Sequence, residues 1–277
     1  MDASLWLCLP TYDEAGNIDR LVRAVAAQLE ELAPSDWRVL VVDDASPDGT
    51  GELAERLAEE IEGVEVLHRP AKEGLGRAYL AGFAHALDRG AELVIVMDAD
   101  FSHDPEHLPA MVAAAEDADL VLGSRYADGG QIADWPRLRR MLSRFGSMYA
   151  RRVLGVQVRD LTSGFRCVRR HVLETVQPST LRAQGYVFNI ELTYRALGAG
   201  FAVREVPICF RDRDAGVSKM SLPIAFEALM LVPKLRWPRL AGPLPAATGA
   251  ERAGEPSVSE PADGSMAQDA VGDAPAS

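Results

Sequence analysis

The chain has 277 residues, 48% of them hydrophobic, which is enough apolar material for one large core or two smaller ones. Its three cysteines, Cys8, Cys167 and Cys209, are far apart and form no C-x-x-C pair, which argues against a disulfide framework or a thiolate metal site. A formal net charge of −12 argues against general nucleic-acid binding.

The elements read in order. Leu5 to Leu9 is a short apolar strand closed by Pro10-Thr11-Tyr12-Asp13-Glu14, and Ile18, Leu21, Val22, Val25 and Leu29 follow at helical spacing. Val39 to Val42 is a second buried strand, ending in Asp43-Asp44-Ala45-Ser46-Pro47-Asp48-Gly49-Thr50 before a helix with Leu53, Leu57 and Ile61. Val64 to Leu67 makes a third strand, and Lys72 to Arg77 opens a helix that runs to Leu87. Leu93 to Met97 is five apolar residues ending in Asp98-Ala99-Asp100, and Leu108 to Ala115 is helical. Asp119 to Leu122 is a fifth strand, ending in Gly123-Ser124-Arg125-Tyr126. Short strands alternating with helices predict a parallel, three-layer α/β domain, with ligands at the carboxyl ends of its strands.

Beyond Tyr126 the pattern changes. Asp128-Gly129-Gly130 is a loop, and a basic helix spans about Pro136 to Val153. Asp160 to Arg166 leads into a short strand, His171 to Val176 and Phe188 to Leu197 read as helices, and Phe201 to Phe210 reads as an edge strand because of Pro207. The boundaries expected are a domain over 1–220, an apolar helix over 221–237 and a disordered Pro/Ala/Gly-rich tail over 238–277. Met1 to Ser4 lacks the basic start of a signal peptide, and no apolar run reaches the roughly 18 residues of a membrane span. The expected location is cytoplasmic, at the cytoplasmic face of a membrane.

Two carboxylates at i, i+2 share one face if the strand stays extended past Met97. Together they repel unless a cation joins them, and oxygen ligands of this kind suit Mg²⁺ or Mn²⁺. Asp13/Glu14 and Asp43/Asp44 bring two more acidic strand ends to the same crevice. Such acids accept hydrogen bonds from a base and a ribose, while Arg125, Arg166, Arg213 and Lys219 are candidates to balance a diphosphate. The charge is uneven: Ser124 to Arg170 holds eleven Arg and three Asp, a local net of +8 that leaves −20 elsewhere. A basic block in an acidic chain suggests a local anionic partner such as a lipid phosphate.

Pro10-Thr11-Tyr12-Asp13-Glu14-Ala15-Gly16-Asn17-Ile18, the Val41 to Thr50 stretch and Asp98 to Pro105 resemble family 2 glycosyltransferases of the GT-A fold. Gly123 to Tyr126, Thr162-Ser163-Gly164-Phe165-Arg166 and Arg213 to Lys219 are similar to the dolichol- or polyprenol-phosphate mannose synthases within them. The resemblance implies inverting transfer of mannose from GDP-mannose to a polyprenyl phosphate with Mg²⁺ or Mn²⁺. It implies that Pro10, Tyr12, Glu14, Val41 and Asp43 hold the nucleoside, and that Asp98, Ala99 and Asp100 meet ribose, sugar and metal. It further implies a metal shell of Asp98, Asp100 and position 102, which is Ser102 here where some relatives carry Gln. Arg125, Arg213 and Lys219 would handle diphosphate and sugar, Asp100, Arg125 and Arg213 being catalytic. Arg139 and Ser143, i and i+4 on the basic helix, correspond to positions that contact acceptor phosphate.

Three alternatives compete with that reading. UDP-glucose could replace GDP-mannose; Leu93 to Asp100 also fits the hhhhDxD of haloacid-dehalogenase phosphatases; Val42-Asp43-Asp44 mimics the acidic pocket of a receiver domain. The nearly all-apolar Leu222 to Leu235 either packs in the core or joins the basic helix in a face that lies on a membrane.

Overall fold

The computed structural model describes residues 4–33, 36–133, 135–181, 186–211 and 230–236. Arg213, Lys219, the first nine residues of the 221–237 segment and the 238–277 tail lie outside them.

The first half runs β1 (Leu5–Thr11), α1 (Ile18–Leu32), β2 (Trp37–Asp43), α2 (Thr50–Glu60), β3 (Val64–His68), α3 (Leu75–Asp88), β4 (Leu93–Val96), α4 (Leu108–Ala114) and β5 (Leu120–Ser124). The second half adds β6 (Gln131–Ile132), α5 (Arg137–Leu154), β7 (Arg166–Arg169), α6 (Arg170–Val176), α7 (Tyr186–Gly198), β8 (Val203–Pro207) and β9 (Cys209–Phe210). Seven strands form one sheet in the order β3-β2-β1-β4-β7-β5-β8. All its pairings are parallel except those of β7, which is antiparallel to both β4 and β5.

Alternation along the strands splits the core in two. Leu5, Leu7, Leu9, Val39, Val41 and Ile95 pack on α1, α2 and α4, while Trp6, Cys8, Leu40, Val42 and Val94 pack on α3, α5, α6 and α7. Both faces of the sheet are covered, which explains why these strands read as unbroken apolar runs. The chain leaves β1 toward β2 on one side and returns to β4 on the other, so the switch point of the sheet lies between β1 and β4. That is where open α/β sheets leave a crevice. Pro10 sits beyond the last β1–β4 pair, Cys8↔Val96, where its missing N–H costs no ladder bond to β4.

The single strand expected over Phe201 to Phe210 is in fact two. Pro207 ends β8, the Ile208 N–H donates to the Ser124 carbonyl, and Cys209–Phe210 pairs with Gln131–Ile132 in a separate ribbon. Two residues of β6 are too short a run to show a period of two. Helical residues 230–236 place Val232 in the core and leave Met230 exposed, so this part of the C-terminal segment is amphipathic.

Candidate active site

Three loops meet at the carboxyl ends of β1, β2 and β4, and the first two are stitched together. Asp13 N–H donates to Ser46 Oγ at 3.2 Å, Glu14 N–H to Thr50 Oγ1 at 2.9 Å, and Ala15 N–H to Asp48 Oδ2 at 3.0 Å. Asp43 is nearly buried and accepts from the Ser46 hydroxyl at 2.5 Å and from Thr11 Oγ1 at 3.4 Å. Glu14 accepts from Asn17 Nδ2 at 2.9 Å, and Lys72 Nζ lies 3.4 Å from the centre of the Tyr12 ring, a cation–π contact that fixes the ring. Asp44 is engaged by Arg69, whose other arm reaches Glu73 Oε2 at 2.6 Å. Burial pushes the Asp44 carboxyl up, against the pull of Arg69.

Among the described residues, the non-glycine positive φ angles are Asp13 (59°), Ala45 (56°), Phe101 (58°) and Gln177 (49°). The first three follow β1, β2 and β4, one at each corner of the crevice. Such angles persist only where neighbours over-determine them, and the loop-to-loop hydrogen bonds do this here. Val41 and Ala99, expected to touch a nucleotide sugar, have their side chains in the apolar core instead. Contact between these two residues and a ligand at the strand ends would be through their backbone atoms.

The Asp98–Asp100 pair is arranged differently from the strand alternation expected. The β4 ladder stops at Val96, and the chain turns through Phe101, so Asp98 stays partly open while Asp100 is 3% exposed. Asp100 Oδ1 accepts from the Ser102 N–H at 3.1 Å, closing that turn. Asp98 Oδ1 accepts from the Tyr79 hydroxyl at 3.5 Å. A Cβ placed on Gly164 would stand 3.1 Å from Asp98 Oδ1 and 3.3 Å from the Tyr79 oxygen, so a larger residue there would push this carboxylate or the Tyr79 hydroxyl aside by a few tenths of an ångström. His103 is buried against Phe165 and Phe210, with ring centroids at 5.3 and 5.2 Å. Burial pushes its pKa down to about 4, so the ring is neutral at pH 7 and Nδ1 accepts the Asp98 N–H at 3.4 Å. The Ser102 hydroxyl is buried beside Asp100 without a hydrogen-bond partner among the described residues. No cluster of three or more His, Cys, Asp or Glu fit to hold a metal occurs among the described residues. Two carboxylates and an orphan hydroxyl are hard oxygen donors, a set that fits Mg²⁺ or Mn²⁺ completed by water and phosphate oxygens.

Across the sheet, β5 ends in a basic and aromatic cluster. Arg125 makes a two-armed ion pair with Asp160, at 2.7 and 2.8 Å, and donates to Thr162 Oγ1 at 2.7 Å. Burial alone would raise the Asp160 carboxyl, but the Arg125 charge and the hydrogen bonds from Arg125 and Thr162 hold it below the usual carboxylate range. Glu205 of β8 accepts the N–H groups of Arg159 and Asp160, both at 2.8 Å, and so positions the loop that carries Asp160. The Tyr126 hydroxyl donates to Ser143 Oγ at 2.7 Å, and Arg139 lies 4.0 Å over the Trp135 ring, which packs edge-on against Phe210. Arg125 itself sits 5.3 Å from the Phe210 ring. The structure therefore brings Arg125, Arg139 and Ser143 into one cluster through Tyr126, Trp135 and Phe210. A Cβ on Gly130 would meet the Ser124 carbonyl oxygen at 2.6 Å, so glycine is required where β6 passes behind Arg125.

Arg166, a sequence candidate for balancing phosphate charge, is a correction. It is fully buried and donates to the carbonyls of Ser163 at 2.8 Å and Leu161 at 3.0 Å, and to Thr193 Oγ1 at 2.7 Å. Burial lowers its pKa to about 10, offset in part by Tyr79 and Asp160. It braces the 161–164 loop from beneath. Thr50, Tyr79, Gly164, Asp160 and Glu205 went unassigned in the sequence. Asp160 and Gly164 belong to the 160–166 stretch there, but their partners lie tens of residues away.

The chain matches the family described as glycosyl transferase family 2 over residues 6–177. It is 46% identical over 226 residues to polyprenol monophosphomannose synthase of Mycolicibacterium smegmatis, covering 81% of this chain and 83% of that one. It is 44% identical over 229 residues to undecaprenyl-phosphate mannosyltransferase of Micrococcus luteus, covering 83% and 91%. Its fold is shared with a mannosyltransferase of Pyrobaculum calidifontis solved with GDP-mannose and Mn²⁺, at a TM-score of 0.56 and 18% identity over 89% of this chain and 67% of that one.

Proposed function

Because the chain belongs to glycosyl transferase family 2, we propose that it transfers mannose from GDP-mannose to a polyprenyl phosphate, with inversion, giving polyprenyl-phosphate mannose. The observation that carries this reading is identity above 40% to two polyprenyl-phosphate mannosyltransferases across four-fifths of the chain, in a structure with an acidic crevice facing a basic cluster.

The chemistry follows from the two halves of the site. A polyprenyl phosphate is a monoester whose second proton leaves near pH 6, so its oxygen is anionic at neutral pH and needs no strong base. Attack of that oxygen on the anomeric carbon forms the new C–O bond as the bond to GDP breaks, and the electron pair departs with the diphosphate. What remains for the protein is to aim the acceptor and stabilise the leaving charge. Tyr12, Glu14 and Asp43, with Pro10, line the β1–β2 corner that receives the nucleoside; Val41 and Ala99 would meet it through backbone atoms. Asp98, Asp100 and the Ser102 hydroxyl would hold Mg²⁺ or Mn²⁺, which when bound supplies positive charge to the departing diphosphate. Asp100 lies closest to the buried turn and Asp98 toward the ribose and sugar. Arg125, fixed by Asp160, presents its cation toward the sugar and phosphates, and Arg139 with Ser143 receives the acceptor phosphate. Arg213 and Lys219 complete the diphosphate contacts. No described helix is long and apolar enough to cross a membrane. A polyprenyl acceptor stays in its bilayer, so the chain meets its lipid by binding peripherally to the cytoplasmic face.

The test is direct. The full chain, GDP-mannose, a polyprenyl phosphate and Mn²⁺ should yield a mannosyl phosphodiester by mass spectrometry, and EDTA should stop it. Equal or faster transfer from UDP-glucose would overturn the donor assignment.

A further inference from the structure

Helix α5 buries its small side and exposes its large one. Its buried residues are Ser147, Ala150 and Leu154. On the opposite side, Leu138, Met141, Leu142, Phe145 and Met148 form one stripe at i, i+3, i+4, i+7 and i+10, each between 47% and 64% exposed. Of the six large apolar side chains left exposed among the described residues, these five share one helix; the other is Met230. A soluble helix normally turns such a stripe inward, and a contiguous exposed one marks an interaction surface.

The occupant is identified by charge. The eighteen residues of α5 include six Arg and no acid, in a chain whose net charge is −12. At 100° per residue, Arg137, Arg140, Arg144 and Arg151 form a column along one flank of the stripe, and Arg152 falls within the stripe itself, between Met141 and Phe145. The five other Arg of the basic block are tied into the fold: Arg125 to Asp160, Arg159 to Asp128, Arg166 to buried carbonyls, Arg169 to the Ala115 carbonyl and Arg170 to Glu174. An anionic surface would repel most of this protein and attract α5. A Leu/Met/Phe stripe beside an arginine column is the pattern of a helix lying in the interfacial plane of a bilayer.

We propose that the outer stripe of α5 seats in the headgroup layer of an anionic bilayer, a reading that rests on polyprenyl phosphate being the acceptor. Arg139 and Ser143 lie on the inward side of the same helix, Ser143 bonded to Tyr126 beside Arg125. One helix thus both docks on the bilayer and sets the depth at which a lipid phosphate meets the catalytic cluster.

The experiment uses the full chain with vesicles of phosphatidylcholine alone or mixed with phosphatidylglycerol. Co-sedimentation should require the anionic lipid and weaken as salt rises. The triple substitution L138Q/M141Q/F145Q should lower binding by about tenfold or more, with an unchanged urea midpoint because all three side chains are exposed. R137Q/R140Q/R152Q should abolish the preference for anionic vesicles. Should the triple variant unfold, F145W alone decides: its fluorescence should be quenched by brominated lipid. Two acceptors separate this idea from the function it rests on. Transfer to a short-chain, water-soluble prenyl phosphate should survive the triple substitution, while transfer to a vesicle-embedded acceptor should fall. If the unsubstituted chain transfers mannose to neither acceptor, the proposed function is wrong whatever the vesicles show. If transfer occurs but vesicle binding is absent, or is indifferent to the stripe, the docking proposal is overturned. It is equally overturned if the stripe proves to hold two copies of the chain together, seen as a dimer that the triple substitution dissociates without loss of vesicle binding.

Discussion

The two sides of the crevice solve opposite problems. At the β1–β2–β4 ends the ligand-facing groups are acidic, mostly buried, and clamped by hydrogen bonds between loops: Glu14 to Thr50, Asp13 to Ser46, Ala15 to Asp48. At the β5–α5 side they are basic and aromatic, and the helix that carries two of them faces outward with its largest apolar residues. A soluble nucleotide sugar is best met by a site already in shape, since ordering loops on binding would subtract from affinity. A substrate anchored in a bilayer must be met where it lies, so its half of the site stands at the surface. On the proposed function, the donor side owes its geometry to loops the fold already locks, whereas the acceptor side is completed by the bilayer on which α5 is proposed to dock.

Four substitutions sharpen that contrast. The largest effect is expected for Asp100→Ala, which should lower turnover on the order of 10²-fold or more, while stability falls by only about 1 kcal/mol, the cost of leaving the Ser102 N–H without its acceptor. Activity within a few-fold of the parent at saturating Mn²⁺ would remove Asp100 from the metal site. Arg166→Met should act on stability instead, costing about 3 kcal/mol by urea titration, since the carbonyls of Leu161 and Ser163 lose their buried donor. A stable variant with a raised donor KM would return Arg166 to the list of phosphate ligands. Gly164→Ala should reduce kcat roughly tenfold with little change in melting temperature, because the added methyl presses on Asp98 and the Tyr79 hydroxyl rather than on the core. An unaffected kcat would mean that Asp98 has room to move. Thr50→Val is the mildest: loss of the acceptor for the Glu14 N–H should cost about 1 kcal/mol, read as a several-fold rise in KM for the sugar nucleotide. The same substitution should leave KM for a soluble acceptor untouched; a rise there would show that the two halves are not independent.

Much of the donor side was legible in the sequence because its information is local. Short apolar strands that break into Pro10–Glu14, Asp43–Thr50 and Asp98–Asp104 announce parallel strands with acidic carboxyl ends, and hydrophobic burial on both faces leaves few other arrangements. The contacts that lock those loops were not legible, since Glu14 meets Thr50 and Asp98 meets Gly164 only after the strands pair.

The arginine-rich stretch shows the limit most clearly. Composition alone determined that residues 124–170 carry eleven Arg, and the sequence reads as a basic helix over about Pro136 to Val153. Tertiary structure decided that Arg166 is a buried brace, that Arg125 is held by Asp160, and that α5 turns Ser147 and Ala150 to the sheet and Phe145 outward. A helical period names two faces without saying which one the core will take. That choice is made by the apolar layer of α3 and α7 residues that receives Ala150 and Leu154, and by β6, held in place by β9, which leads the chain into α5; neither is encoded in the residues of the helix itself.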